Sequence, residues 1–158
     1  WALTGCERRP PNIIKSLYLD GDKSVEHNWR LFEKYQKIQK NEVMYELKGC
    51  KDADLIIIAF GSAARIAKTS IEMAKEKAIK VGMLRPISLF PFPGQKIRDI
   101  SKDVQDILVV EQNTGQMVED VLISVSKNAR VTFYGKPSGN VLEAEEILLQ
   151  IEKCKNPK

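Results

Sequence analysis

Histidine and cysteine are scarce in this chain of 158 residues: His27 is the single histidine, and Cys6, Cys50 and Cys154 are the only cysteines. The cysteines are odd in number, far apart and outside any C-x-x-C spacing. That argues against a zinc or iron–sulfur site built within the chain, and for a reducing compartment. No apolar run approaches the roughly 20 residues of a membrane span, and no basic-then-apolar segment opens the chain, so a cytoplasmic location and no membrane contact are expected. A dominant charge is missing too. The 25 basic and 21 acidic residues interleave to a net charge of +4, which gives no support for a nucleic-acid surface and leaves contact with an acidic protein open. Catalytic motifs are equally thin: there is no G-x-S-x-G elbow, no Cys–His pairing and no H-E-x-x-H. Gly61-Ser62-Ala63-Ala64 lacks the G-x-G-x-x-G spacing. Gly135-Lys136-Pro137-Ser138-Gly139 lacks the Walker spacing and carries a proline where an amide would cradle phosphate. We assign the chain no catalytic, cofactor-binding or metal-ligating residue from these motifs.

What is present is material for a core. At 43% hydrophobic residues, the length suits one globular domain with a three-layer interior. The opening WALTGCERRPPN, starting at Trp1 and not at methionine, reads as a linker entered midway, so a fragment of a longer polypeptide is expected. Residues 1–23 form an extended arm, stiffened by Pro10-Pro11, and residues 24–158 an α/β domain. Asp20-Gly21-Asp22 lacks the remaining ligands of a calcium loop and reads as a turn leading to an N-cap at Ser24. An amphipathic helix follows to Asn41, with Trp29, Phe32 and Ile38 on its apolar stripe and His27 exposed on its first turn.

Strands are expected at Glu42 to Lys48, Asp54 to Phe60, Lys80 to Leu84, Ile107 to Val110 and Val131 to Tyr134. Only GCKDA separates the first two, too short for a parallel crossover, so the first strand should run antiparallel to the second. A helix opening at Gly61-Ser62 should bury Ala67, Ile71, Ala74 and Ala78. In the RPISLFPFP connection, Phe90 and Phe92 can plug an apolar hole, and a short helix should run from Gly94 to about Lys102. The helix after the fourth strand should bury Met117, Val118, Val121, Leu122 and Val125. A last helix has Asn140 and Glu143 at capping-box spacing, with Ile147, Leu148, Ile151 and Cys154 turned inward.

Polar residues collect in two places. The fourth strand runs into Glu111, followed by Asn113-Thr114-Gly115-Gln116. Asn113 and Gln116 have capping-box spacing; the alternative is that the free amides of Thr114 and Gly115 form an anion or carboxylate site. Glu111, at the end of a buried strand, needs a partner, either a structural one such as Arg85 or Arg65, or a group on a neighbouring subunit. Arg65, in the first turn of its helix, opposes the dipole and with Lys68 makes a basic corner beside Gly61 and Ser62. It is either a solvated arginine or one awaiting a carboxylate or phosphate.

SLYLDGDKSVEHN, GSAARIAK, VGMLRPISLFPFP, VVEQNTGQMVEDV and VTFYGKPSG, in this order, resemble the C-terminal part of the α subunit of 2-oxoacid:ferredoxin oxidoreductases, nearest to the branched-chain (2-oxoisovalerate) members. The resemblance covers nearly the whole chain, from Trp1 to about Ile151. It departs at GKPSG, where the family pattern has an arginine and paired glycines. It implies a transketolase C-terminal-like domain, a three-layer α/β/α sandwich whose five-stranded mixed sheet has strand order 1-3-2-4-5 and one antiparallel strand. That order would bring Gly61, Ser62 and Arg65 into one crevice with Glu111, Asn113, Thr114, Gly115 and Gln116. For the complete enzyme the resemblance implies thiamine-diphosphate-dependent oxidative decarboxylation of a 2-oxoacid to an acyl-coenzyme A, with electrons passing through iron–sulfur clusters to ferredoxin. The G-D-G…N thiamine signature and the cluster cysteines are absent here. The resemblance therefore leaves thiamine diphosphate, magnesium and the clusters to other domains or subunits, and implies an assembly role for this one. Two other readings stay open: a free-standing anion- or nucleotide-binding module using the crevice, and the equivalent domain of another thiamine enzyme.

Overall fold

The computed structural model describes residues 3–137 and 139–155. Readings that touch Trp1, Ala2, Ser138 of the GKPSGN loop or residues 156–158 lie outside the described residues. The chain divides into two compact units, Trp1–Ile38 and Gln39–Lys158. The first contains the arm and most of helix α1, Gly21–Asn41. The helix starts a turn before the expected Ser24, because Asp20 Oδ1 accepts the amides of Asp22 and Lys23 at 3.1 and 3.3 Å. Asp20 is thus the cap, and Ser24 is already inside the helix. His27 is half-buried where simple exposure was expected. Its ring lies 4.6 Å from that of Tyr18, and Nδ1 is 3.0 Å from the Arg30 guanidinium.

The second unit alternates strand and helix. Its elements are β1 Tyr45–Lys48, β2 Leu55–Ala59, α2 Gly61–Glu76, β3 Val81–Pro86, α3 Gly94–Asp103, β4 Asp106–Glu111, α4 Met117–Ser124, β5 Arg130–Gly135 and α5 Ala144–Lys155. They build one five-stranded sheet in the order β1-β3-β2-β4-β5. All neighbours are parallel except β1, which runs antiparallel to β3 with Tyr45 opposite Pro86 and Lys48 opposite Met83. The short GCKDA connection forces that direction, as expected.

Both sheet faces are covered, which is why β2 and β4 read as unbroken apolar runs. Leu55, Ile57 and Ala59 face the layer holding α2 and α5, while Ile56 and Ile58 face the one holding α3 and α4. Each of these β2 residues is at most 1% exposed. At about 1.5–3 kcal/mol for a fully buried large aliphatic side chain, these two strands anchor the unit. The alanines of α2 let that helix lie close to the sheet, with Ala63, Ala64, Ala67 and Ala74 all buried.

Four sequence expectations need correction. Ala78 does not belong to the inner face of α2. The helix ends at Glu76, and Ala78 adopts φ +59°, the left-handed residue of a C-terminal cap whose next amide, from Ile79, returns to the Ala74 carbonyl at 3.0 Å. Leu122 is 56% exposed because Met117, Val121 and Ser124 define the buried stripe of α4, and Leu122 falls beside it. Phe90 is 62% exposed, whereas Phe92 packs partly against the core as expected. The box expected at Asn140 and Glu143 lies one turn later: Glu143 precedes α5, and its amide donates to Glu146 Oε2 at 3.1 Å. Ile147, Leu148, Ile151 and Cys154 are buried as anticipated.

Candidate functional site: the crevice at the strand ends

The chain leaves β2 through α2 on one face and leaves β3 through α3 on the other, so the direction of winding reverses between adjacent strands β2 and β4. A crevice opens beyond their C-terminal ends. Gly61 makes the turn from β2 into α2 at φ +56°, a conformation that strains any L side chain. Ser62 Oγ then donates across the gap to Gln112 Oε1, which ties the two strand ends together. The Gly61–Ser62 and Glu111–Gln116 segments therefore meet.

Glu111 is fully buried, at 0% exposure. Its carboxylate is spent on backbone. Oε2 accepts the Met117 amide at 2.9 Å, the Gln116 amide at 3.4 Å and the Asn113 side-chain amide at 3.0 Å, while Oε1 accepts the Val118 amide at 3.0 Å. The acid thus caps α4 from the end of the preceding strand, with the positive end of the helix as its counter-charge. This corrects the expected pairing with Arg85 or Arg65. Arg85 goes instead to Glu46, Nε to Oε2 at 2.9 Å, and this bond holds the Glu46 carboxyl below its ordinary range. It also corrects the capping box at Asn113 and Gln116. The helix begins at Met117, and Asn113 Oδ1 takes the Gly115 amide at 2.7 Å in an Asx turn. The first amides of α4 are occupied by Glu111 and that of Gly115 by Asn113, so Gly115 offers no free amide to an anion here.

Thr114 and Gln116 are exposed at the lip of the crevice. Arg65 is exposed on the first turns of α2, and none of the ion pairs among the described residues includes it. The field of nearby Lys68 reaches Glu46 and helps hold its carboxyl low. Arg65 and Lys68 therefore keep a basic corner beside the Ser62–Gln112 bridge.

Several rim residues were not anticipated. Gln112 is the bridge itself. The Phe133 ring covers Gly115, where a Cβ would come within 3.2 Å of it. Lys136 Nζ binds both oxygens of Glu146 at 2.8 and 2.9 Å, and its amide donates to the Glu111 carbonyl at 3.1 Å. The pair raises the Lys136 ammonium and lowers the Glu146 carboxyl, in both cases chiefly through their hydrogen bond. Tyr134 is pushed up by burial and then by Glu146. No local spacing announced this pair, since its members lie 10 residues apart across a proline-containing loop.

The donor set does not suit the metal groups implied for the complete enzyme. Among the described residues no group of three His, Cys, Asp or Glu side chains could hold a metal ion. Cys50 packs with the cluster under α3 and α4, its thiol donating to the Met83 carbonyl at 3.3 Å, whereas Cys154 is buried in the cluster under α2 and α5. The sheet separates them, so they cannot ligate one iron–sulfur cluster.

Comparison with known proteins gives a consistent result. The family described as pyruvate:ferredoxin oxidoreductase core domain II matches residues 53–147. The chain is 37% identical over 153 residues to the ketoisovalerate oxidoreductase subunit VorB of Methanothermobacter marburgensis, covering 97% of this chain and 43% of that protein. It is 33% identical over 100 residues to the 2-oxoglutarate synthase subunit KorA of the same organism, covering 63% of this chain and 27% of that one. Among solved structures, a 2-oxoglutarate:ferredoxin oxidoreductase from Magnetococcus marinus, with 2-oxoglutarate, coenzyme A and succinyl-CoA bound, superimposes with a TM-score of 0.74 at 19% identity. It covers 87% of this chain and 24% of that one. A split-gene transketolase, an inactive beta4 tetramer, gives 0.59 at 16% identity, covering 70% and 41%. The chain thus spans less than half the length of the VorB and KorA relatives it matches.

Proposed function

The chain belongs to the pyruvate:ferredoxin oxidoreductase core domain II family, and from that premise we propose that it works as the C-terminal domain of a 2-oxoacid:ferredoxin oxidoreductase subunit. The substrate is a branched-chain 2-oxoacid of the 2-oxoisovalerate type. The observation that carries this reading is the 37% identity to a ketoisovalerate oxidoreductase subunit over 97% of the chain, against 27% identity to a 2-oxoglutarate synthase subunit over a comparable 92%.

The domain's contribution is assembly. Its most deeply buried acid, Glu111, is committed to capping α4 and is not free to move a proton. Asn113 is likewise held by its own turn. The exposed groups at the crevice, Arg65 with Lys68 on one side and Thr114 and Gln116 on the other, are suited to meeting a carboxylate-bearing surface of a neighbouring subunit. In this reading thiamine diphosphate, magnesium and the iron–sulfur clusters belong to other parts of the complex, as do the contacts with coenzyme A and ferredoxin. The enzyme works in the cytoplasm.

Reconstitution tests this. The chain is mixed with the remaining parts of its oxidoreductase, and 2-oxoacid-dependent reduction of ferredoxin is followed. The expected outcome is that activity requires the chain and that 2-oxoisovalerate is used with higher kcat/KM than pyruvate or 2-oxoglutarate. Full activity without the chain, or a preference for either other acid, contradicts the proposal.

A further inference from the structure

At the opposite rim of the sheet, where β3 begins and β1 ends, lies a cleft of about 570 Å³ that the crevice does not reach. Its floor is apolar, made by Ile71, Ile79 and Val81 together with the Gly49 turn. Its rim carries four lysines, Lys48, Lys51, Lys75 and Lys80, against two acids, Asp52 and Glu72. Lys48 is already bound to Glu72 at 3.0 Å. The ammonium groups of Lys51, Lys75 and Lys80 have no hydrogen-bond or ion-pair partner among the described residues, although the fields of Lys75 and Lys80 reach Glu72 and Asp54; set against Asp52 and Glu72, the four lysines leave the rim net positive where the apolar floor ends.

Two features hold the walls in place. The turn after β1 is fixed by the left-handed residues Gly49 and Asp52, at φ +63° and +59°. The far wall is the capped C-terminus of α2, closed by the Ala78 and Ile79 amides at 3.0 Å each. The cleft is therefore preformed, and its size falls within the few hundred to about 1,000 Å³ common for small-molecule sites.

We propose that this cleft binds a phosphorylated small molecule of the nucleoside diphosphate class. The apolar floor takes the ring system, and Lys51, Lys75 and Lys80 take the phosphates. The two parts must act together, because three solvated ammonium groups hold a phosphate weakly and the floor alone offers no charge recognition.

Isothermal titration of the 158-residue chain with ADP, adenosine and pyrophosphate separates the contributions. ADP is expected to give a saturable isotherm, with adenosine and pyrophosphate each at least tenfold weaker. The Lys51→Glu/Lys75→Glu double variant should weaken ADP at least tenfold, and Lys127→Glu, outside the cleft, less than twofold. The altered lysines are exposed, and unchanged thermal unfolding of each variant establishes that a lost isotherm reports the site and not the fold. Absence of ADP binding at 5 mM, pyrophosphate binding as tight as ADP, or ADP binding indifferent to the double variant overturns the proposal. Arg65→Glu, which acts at the other rim, should leave ADP binding unaltered. The outcome is therefore independent of the assembly reading.

Discussion

Replacing Glu111 by glutamine tests the reading of the crevice at its most buried group. The wild-type carboxylate accepts from three backbone amides and one side-chain amide while being fully shielded from water. Glutamine keeps one acceptor oxygen. Its best placement puts that oxygen where Oε2 was, retaining Met117 and Asn113, and leaves its NH₂ group facing the Val118 amide. One charge-assisted bond is lost, a buried donor has no acceptor, and the negative charge opposite the α4 N-terminus disappears. At about 1.5–3 kcal/mol for a hydrogen bond to a charged group and a similar cost for an orphaned buried donor, a net loss of about 3 kcal/mol is expected. That corresponds to a fall in Tm of about 6–12 °C for a chain of this size. Glu111→Ala, which orphans every donor and opens a cavity, should cost about 4 kcal/mol or more. The control is Glu46→Gln, which removes a well-formed but solvent-exposed pair with Arg85 and should cost much less than Glu111→Gln. Chemical denaturation monitored by circular dichroism measures all three. A loss below about 0.5 kcal/mol for Glu111→Gln would refute the claim that the carboxylate is a structural cap.

Further outcomes follow from other contacts. Gly82→Ala would place a Cβ 2.8 Å from Cys50 Cα and 2.9 Å from the Gly49 carbonyl oxygen, both backbone atoms. A destabilisation of about 1–3 kcal/mol by denaturant titration is expected, and a neutral result would mean the β1–β3 edge yields easily. The Lys136–Glu146 pair makes stability depend on pH at both ends. Glu146 is depressed, so its contribution is present above the ordinary carboxyl value of 4.5 and fades as pH falls through the lower folded value. Lys136 is raised, so its share is complete below 10.5 and is lost as pH climbs through the higher folded value. Glu146→Gln should flatten the acid limb of a Tm–pH curve, and an unchanged limb would assign that limb to other acids. Arg65→Glu should shift stability by less than about 0.5 kcal/mol yet weaken association with the rest of the oxidoreductase at least tenfold, as read by sedimentation or light scattering.

How far the sequence reveals this arrangement depends on whether a residue's partner is close along the chain. The runs Leu55–Ala59 and Ile107–Val110, the alanine face of α2 and the inward residues of α5 follow a local period, and the structure repeats them. Strand direction was legible because a five-residue connection cannot cross over. The chemistry at strand ends was not, because Glu111 reaches six and seven residues forward to Met117 and Val118, a span no capping pattern encodes. Asn113 misleads for the same reason: its spacing to Gln116 matches a box, but Glu111 takes the helix amides. Ser24 lost its cap to Asp20 through a similar contest, in which an aspartate one turn earlier offered the first acceptor. Gln112 carries no local signal because its role depends on Ser62, 50 residues away. The meeting of those segments depends on strand order, which the chain's own periodicity does not contain and which came from the family resemblance.

The central claim, that this domain joins the assembly and lends no group to the chemistry, is tested most directly by steady-state kinetics of the reconstituted oxidoreductase carrying Arg65→Ala and Gln116→Ala together, both exposed at the crevice. The subunit concentration is raised until binding saturates. At saturation kcat for 2-oxoisovalerate should lie within twofold of wild type, while the concentration needed for half-maximal assembly rises at least tenfold. A large fall in kcat with unchanged assembly would contradict the account and make the crevice part of the active site.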